Sequence, residues 1–141
     1  MIDGGLRGVF RGRLPDFHWN TIENGVGRGI PDAEFCAPGG VTGWIEYKFT
    51  GGSVVAIAPE QIAWHLRRAR NGGKSYIAVR RKAAAGKRRE ARDELWLVKG
   101  AGAEELARDG LLRMREEIVI GRWSGGIAKW NWEEVQKILI T

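Results

Sequence analysis

A single cysteine, Cys36, stands in this chain of 141 residues, so neither an intrachain disulfide framework nor a paired-cysteine metal site can form. As a small residue in an extended stretch it is expected to be buried, and nothing in the sequence supplies the basic partner that a nucleophilic thiol would need. Histidine is almost as scarce. His18 and His65 lack any close spacing to one another, to Cys36 or to a carboxylate, which makes them poor zinc ligands. His65 is expected to lie partly exposed on a helix, and His18 to sit as an aromatic neighbour of Trp19. No apolar run approaches the length that crosses a bilayer, and residues 1–13 lack the apolar core of a signal peptide, so a cytoplasmic protein is expected. Acid is nearly missing from residues 61–92, where eleven Lys or Arg face one Glu90, for a local charge of +10. The whole chain carries +6, which leaves 6 − 10 = −4 elsewhere. Such asymmetry suits a phosphate backbone drawn to one face, with affinity that falls steeply with salt, although a basic run can equally be a solvated loop.

What the chain does contain is a sparse acidic pair beside a lysine. Pro31-Asp32 is followed, after thirteen residues, by Glu46-Tyr47-Lys48. Magnesium keeps several waters and is usually held by one or two carboxylates plus substrate phosphate oxygens, so two acids suit it better than a full protein cage. Residues 29–36 read as a strand entered through glycine and proline, residues 37–40 as a turn, and residues 43–49 as the returning strand. An antiparallel hairpin would then set Asp32 near Glu46. Strand alternation puts Glu46 and Lys48 on one face and Ile45 and Tyr47 on the other, toward a core. Taken alone, the same pattern also describes an ordinary hairpin with solvent-facing charges.

Pro59-Glu60-Gln61 opens a helix expected to run to about Asn71, with proline in the first turn and Gly72-Gly73 as the stop. At 3.6 residues per turn Ile62, Leu66 and Ala69 form one apolar stripe, expected to be the buried one, while Gln61, His65 and Arg68 line another face. Residues 74–80 read as a strand that can lie parallel in the same sheet after this crossover helix.

In this order of motifs the chain resembles the PD-(D/E)xK nuclease superfamily, and more closely its phage VRR-NUC and Holliday-junction-resolvase-like members. The residues that carry the resemblance are those of 18–23, 29–32, 44–48, 59–61 and the glycine pair 72–73. The likeness implies one restriction-endonuclease-like α/β domain over residues 1–141, with a mixed central β-sheet flanked by helices. It implies Asp32 and Glu46 as ligands of Mg2+, with Mn2+ able to substitute, the backbone carbonyl of Tyr47 as a further ligand, and Lys48 as the catalytic lysine. Glu23 would be the acid supplied by the N-terminal element, and Gln61 the helix glutamine beside the active site. Glu34 shares a strand face with Asp32 and competes as the further acid. The implied activity is metal-dependent hydrolysis of DNA phosphodiesters, on branched DNA such as four-way junctions or flaps, by a protein of the host cytoplasm if phage-encoded. A two-fold dimer would suit a symmetric junction. A general or sequence-selective nuclease of the same chemistry, or an inactive nucleic-acid-binding module, are the alternatives.

The densest basic stretch, residues 80–92, shows no apolar period and reads as a mobile loop. Arg80, Arg81, Lys82, Lys87, Arg88 and Arg89 are therefore candidate phosphate contacts, together with Arg67 and Arg68 on the helix. Beyond it, residues 94–98 read as a strand, 103–109 as a short helix closed by Gly110, and 117–120 as a strand. Asn131 should cap a last helix through Ile140, with Glu134 at its third position. Seven tryptophans in so small a domain are expected mostly to pack rather than to stack on bases.

Overall fold

A computed structural model describes residues 3–23 and 29–141. The order of elements is α1 (Leu6–Arg13), β1 (His18–Thr21), β2 (Ala33–Cys36), β3 (Thr42–Thr50), α2 (Pro59–Arg70), β4 (Ser75–Ala83), β5 (Arg92–Lys99), α3 (Ala103–Asp109), β6 (Val119–Trp123) and α4 (Trp132–Ile140). All six strands join one sheet in chain order, β1-β2-β3-β4-β5-β6. Every pairing is antiparallel except β3 with β4, which is parallel. A parallel neighbour needs a crossover, and α2 supplies it.

Alternation along the two central strands explains why helices cover both faces. On β4, Tyr76 and Ala78 point to one side and Ile77 and Val79 to the other; on β5, Leu95 and Leu97 alternate with Trp96 and Val98. The first set packs with Leu6 and Phe10 of α1 and with Val135 and Leu139 of α4. The second packs with Ala103 and Leu106 of α3 and with Ile62 of α2. The sheet is thus a wall between two apolar layers, and a polar side chain entering either layer has to find a partner there.

Local signals end the elements where the sequence says they should. Gly72 and Gly110, in left-handed conformation at φ 79°, follow α2 and α3, as a helix stop without a Cβ penalty requires. Asn131 Oδ1 accepts the amide of Glu134, 3.1 Å away, to start α4.

Three expectations need correction. The last strand is Val119–Trp123, not 117–120, because the β5–β6 register shifts between Leu97 and Val98 and Ile118 turns inward to bond Lys99 across the gap. Cys36 is half-buried at the end of its strand. The stretch 80–92 is not a loop throughout: β4 runs on to Ala83, β5 starts at Arg92, and Gly86 bridges Arg89 between them. Of the tryptophans, Trp96, Trp123 and Trp130 are buried and the other four half-buried, in line with a packing role. No helix among the described residues is long and apolar enough to cross a membrane.

Candidate active site

The β2–β3 hairpin brings the acidic pair together. Ala33 pairs with Ile45, so Asp32, one residue before β2, stands across from Glu46. Asp32 Oδ2 accepts the backbone N–H of Tyr47 at 2.7 Å, which ties the carboxylate to β3 where the hairpin opens. Its second oxygen lies 3.7 Å from the guanidinium of Arg7 on α1. Ile45 and Tyr47 enter the layer of α1 and α4. Glu46 goes the other way and is 2% exposed beneath α2. One strand therefore anchors itself with its apolar residues and presents its acid and lysine to the opposite layer.

Gln61 clamps this pair from the first turn of α2. Its Nε2 donates to Glu46 Oε2 at 2.9 Å, while its Oε1 accepts from Lys48 Nζ at 2.9 Å and from the amide of Ala58 at 3.0 Å. Both ends of one amide are used, so the lysine and the glutamate are held at 4.0 Å with a neutral group between them. Through the Ala58 amide Gln61 also satisfies one of the free backbone donors at the start of α2.

Burial and mutual repulsion leave the carboxylates reluctant to ionise. Burial first, and then the charge of Glu46, push the Asp32 carboxyl from 3.8 up to about 6. Burial likewise raises Glu46, against the pull of Lys48. Glu46 Oε1 is buried and lacks a hydrogen-bond partner. Two crowded carboxylates and an orphaned oxygen are what a hard cation would relieve, and an all-oxygen donor set fits magnesium better than zinc.

His65 overturns two expectations. It is fully buried rather than partly exposed, and the line Gln61–His65–Arg68 is the face of α2 that meets the sheet, whereas Ile62, Leu66 and Ala69 are only half-buried. The reason is that α2 lies over the polar side of β3, whose Glu46 and Lys48 need hydrogen bonds more than apolar cover. Burial, then the nearby Lys48 charge, lowers the His65 pKa to about 4, so the ring is neutral near pH 7. Arg68 stacks its guanidinium over Trp64 at 4.5 Å and over Trp44 at 5.5 Å. It borders a cleft of about 480 Å3 with Trp64, Arg67, Asn71 and Gly73.

Other sequence-derived candidates are not gathered here. Glu23 is exposed beyond the end of β1, and among the described residues no three His, Cys, Asp or Glu side chains converge as a ligand group. Glu34 accepts a hydrogen bond from Asn20 Nδ2 at 2.9 Å. Arg67, Lys82, Lys87, Arg88 and Arg89 are exposed. Arg80 and Arg81 are not: Arg80 forms a fork with both oxygens of Asp93 and donates to the Gly4 carbonyl, and Arg81 pairs with Glu94 directly across the strands. Their guanidinium groups are themselves buried and engaged by half-buried Asp93 and buried Glu94, so both are withdrawn as DNA contacts. Arg7 is the site neighbour that sequence reasoning passed over, its only signal being the period Leu6-Phe10 on a short glycine-containing helix. His65 is read from its i, i+4 spacing onto the face of Gln61 but expected there as a partly exposed residue, and its burial against Glu46 is what the spacing does not show. Protein-family models, curated proteins and solved structures give no match to this chain.

Proposed function

We propose that this chain is a metal-dependent endodeoxyribonuclease that hydrolyses phosphodiester bonds in branched DNA. The observation that carries the reading is the pair of half-buried Asp32 and buried Glu46, both raised in pKa, with Lys48 fixed beside it through Gln61. Asp32, Glu46 and the carbonyl of Tyr47 would hold Mg2+ or Mn2+. In a strand the N–H and C=O of one residue face the same neighbour, and the Tyr47 N–H already faces Asp32. Bound there, the cation supplies neutralisation of phosphate charge and a more acidic water.

The chain's own groups do the rest. Lys48, 15% exposed at its side chain, offers an ammonium to the developing charge of the phosphate or to the attacking water. Gln61 keeps that ammonium off Glu46 and in register. Arg67 and Arg68 on α2, and exposed Lys82, Lys87, Arg88 and Arg89 on the β4–β5 hairpin, would draw the phosphate backbone toward the protein. Branched DNA as the preferred shape, and a two-fold dimer to meet it, rest on the sequence resemblance.

The test is cleavage of single-stranded, duplex, flap and four-way-junction DNA with Mg2+ or with EDTA. Junction or flap cutting that needs the metal and disappears in Asp32→Ala is expected. Undiminished turnover by folded Asp32→Ala would overturn the site, and equal rates on linear duplex would overturn the branched preference.

A further inference from the structure

Two of the buried polar atoms without a hydrogen-bond partner face one another. Glu46 Oε1 and His65 Nε2 are both orphaned, both side chains are at most 2% exposed, and they stand 3.8 Å apart. That is beyond hydrogen-bond length by a little under ~1 Å. On the far side of the ring, His65 Nδ1 lies 2.9 Å from Ser75 Oγ at the start of β4. The backbone of Gly100 closes over this contact: a methyl at position 100 would overlap Ser75 Oγ and press on His65 Nδ1. The ring is therefore held by a hydroxyl, by a glycine that leaves room for both, and by the edge of Trp64, whose ring centre is 5.5 Å away.

A serine hydroxyl can give or take a proton, and the choice fixes the tautomer. If Ser75 donates to Nδ1, the ring proton sits on Nε2 and is aimed at Glu46 Oε1. If Ser75 accepts, Nε2 is a bare lone pair facing a carboxylate oxygen, two acceptors buried together with nothing between them. Only the first arrangement gives both orphans a use, because an unmet buried acceptor costs about 1–3 kcal/mol. Gln61 already holds Oε2, so a donor at Oε1 would leave Glu46 gripped at both oxygens from the α2 side.

We propose that His65 is a positioning residue for Glu46: kept in the Nε2–H tautomer by Ser75 and Gly100, it donates to Glu46 Oε1 and orients that carboxylate for the cation. The inference rests on the metal-site reading above and deepens it. It needs no change in the charge of the ring, and it assigns to Gly100 and Ser75, both distant from the acidic pair in sequence, a share in metal affinity. Loss of an outer partner of this kind typically weakens metal binding about 10–100-fold.

The experiment is a titration of Mn2+ into the DNA-free protein, with free Mn2+ followed by electron paramagnetic resonance, beside long-range 15N–1H spectra of the His65 ring. The spectra should show the neutral Nε2–H tautomer near pH 7, and an Nδ1–H tautomer overturns the proposal without reference to activity. His65→Phe should weaken Mn2+ binding about 10–100-fold, and His65→Gln, whose amide can donate, should recover part of it. Equal affinity in folded His65→Phe and wild type overturns the proposal. Should His65→Phe fail to fold, Ser75→Ala takes its place: a severalfold loss of affinity in a folded protein supports the positioning role, and an unchanged value refutes it. Wild-type protein that shows the Nε2–H tautomer yet takes up no Mn2+ overturns the metal reading itself, which separates that failure from one confined to His65.

Discussion

Replacing Asp32 with asparagine should make the metal-free protein more stable while destroying its metal site. The carboxyl titrates at about 6 in the fold against 3.8 as its ordinary value, and one pKa unit corresponds to about 1.36 kcal/mol. The rise from 3.8 to about 6 is thus worth about 3 kcal/mol against the folded state once the group is ionised. The asparagine amide keeps an oxygen for the Tyr47 N–H and lacks the charge that Glu46 and burial oppose. The sign follows from the raised pKa: the folded state binds the proton more tightly, so the wild type loses stability as pH climbs from about 4 to about 6 and stays penalised above. The asparagine variant has no such titration. Urea unfolding in EDTA should therefore show a gain of about 2–3 kcal/mol at pH 8, or on the order of 6–12 °C in Tm, shrinking toward zero by about pH 4. Excess Mn2+ should reverse the ranking, because only the wild type gains from binding. A variant that is less stable at pH 8, or whose gain does not vary with pH, would show that the carboxylates are not electrostatically strained and would remove the main support for a cation between them.

Three further outcomes are expected. Lys48→Met should lose most single-turnover cleavage while Mn2+ affinity by calorimetry stays within a fewfold of wild type; a parallel fall in both would make Lys48 an organiser of the site only. Neutralising Lys87, Arg88 and Arg89 together should weaken binding to all DNA shapes and lower the log-log salt slope by about 2.7, from about 0.9 per duplex phosphate contact, with little change in rate at saturating DNA; an unaltered slope moves the DNA track to the α2 face of Arg67 and Arg68. Glu94→Ala strips the partner from buried Arg81, as well as from Arg122 and Trp96, and should cost about 3–5 kcal/mol in urea unfolding; a cost near zero would mean that these charges are solvated.

The parts of the fold legible in the sequence are those set by short-range chemistry. Pro59 and Gly72 bracket α2, Gly110 closes α3, Asn131 caps α4, and the turn at residues 37–40 makes the β2–β3 hairpin. The hairpin alone is enough to place Asp32 opposite Glu46. What the sequence hid depends on which face meets which. A helical wheel marks the apolar stripe of α2 as its inner side, but the sheet beneath offers Glu46 and Lys48, so the polar stripe turns inward and His65 is buried. The arginines at 80 and 81 look like part of a phosphate-seeking run until the β4–β5 register sets Arg81 opposite Glu94, thirteen positions on. Charge partners across a ladder carry no local mark. Helix α1 went unread because Gly8 and Gly12 dilute its pattern and only Leu6 and Phe10 are buried along it.

Strand order equal to chain order bears on synthesis. Each new strand can add to the edge of one made just before it, so the sheet can grow in the direction of translation, at about 5–20 residues per second, with no strand waiting for a distant strand. The hairpin with both carboxylates, and the helix that covers it, leave the ribosome before β5 exists. Until β5 arrives, β4 is an open edge rich in β-branched and basic residues, and its arginines at 80 and 81 lack the acids that later neutralise them. Open edges of this kind are templates for pairing with other chains. A message truncated before codon 92 would yield a product with an exposed β4 edge, prone to self-association, and the same positive edge would favour its capture by polyanions in the cell.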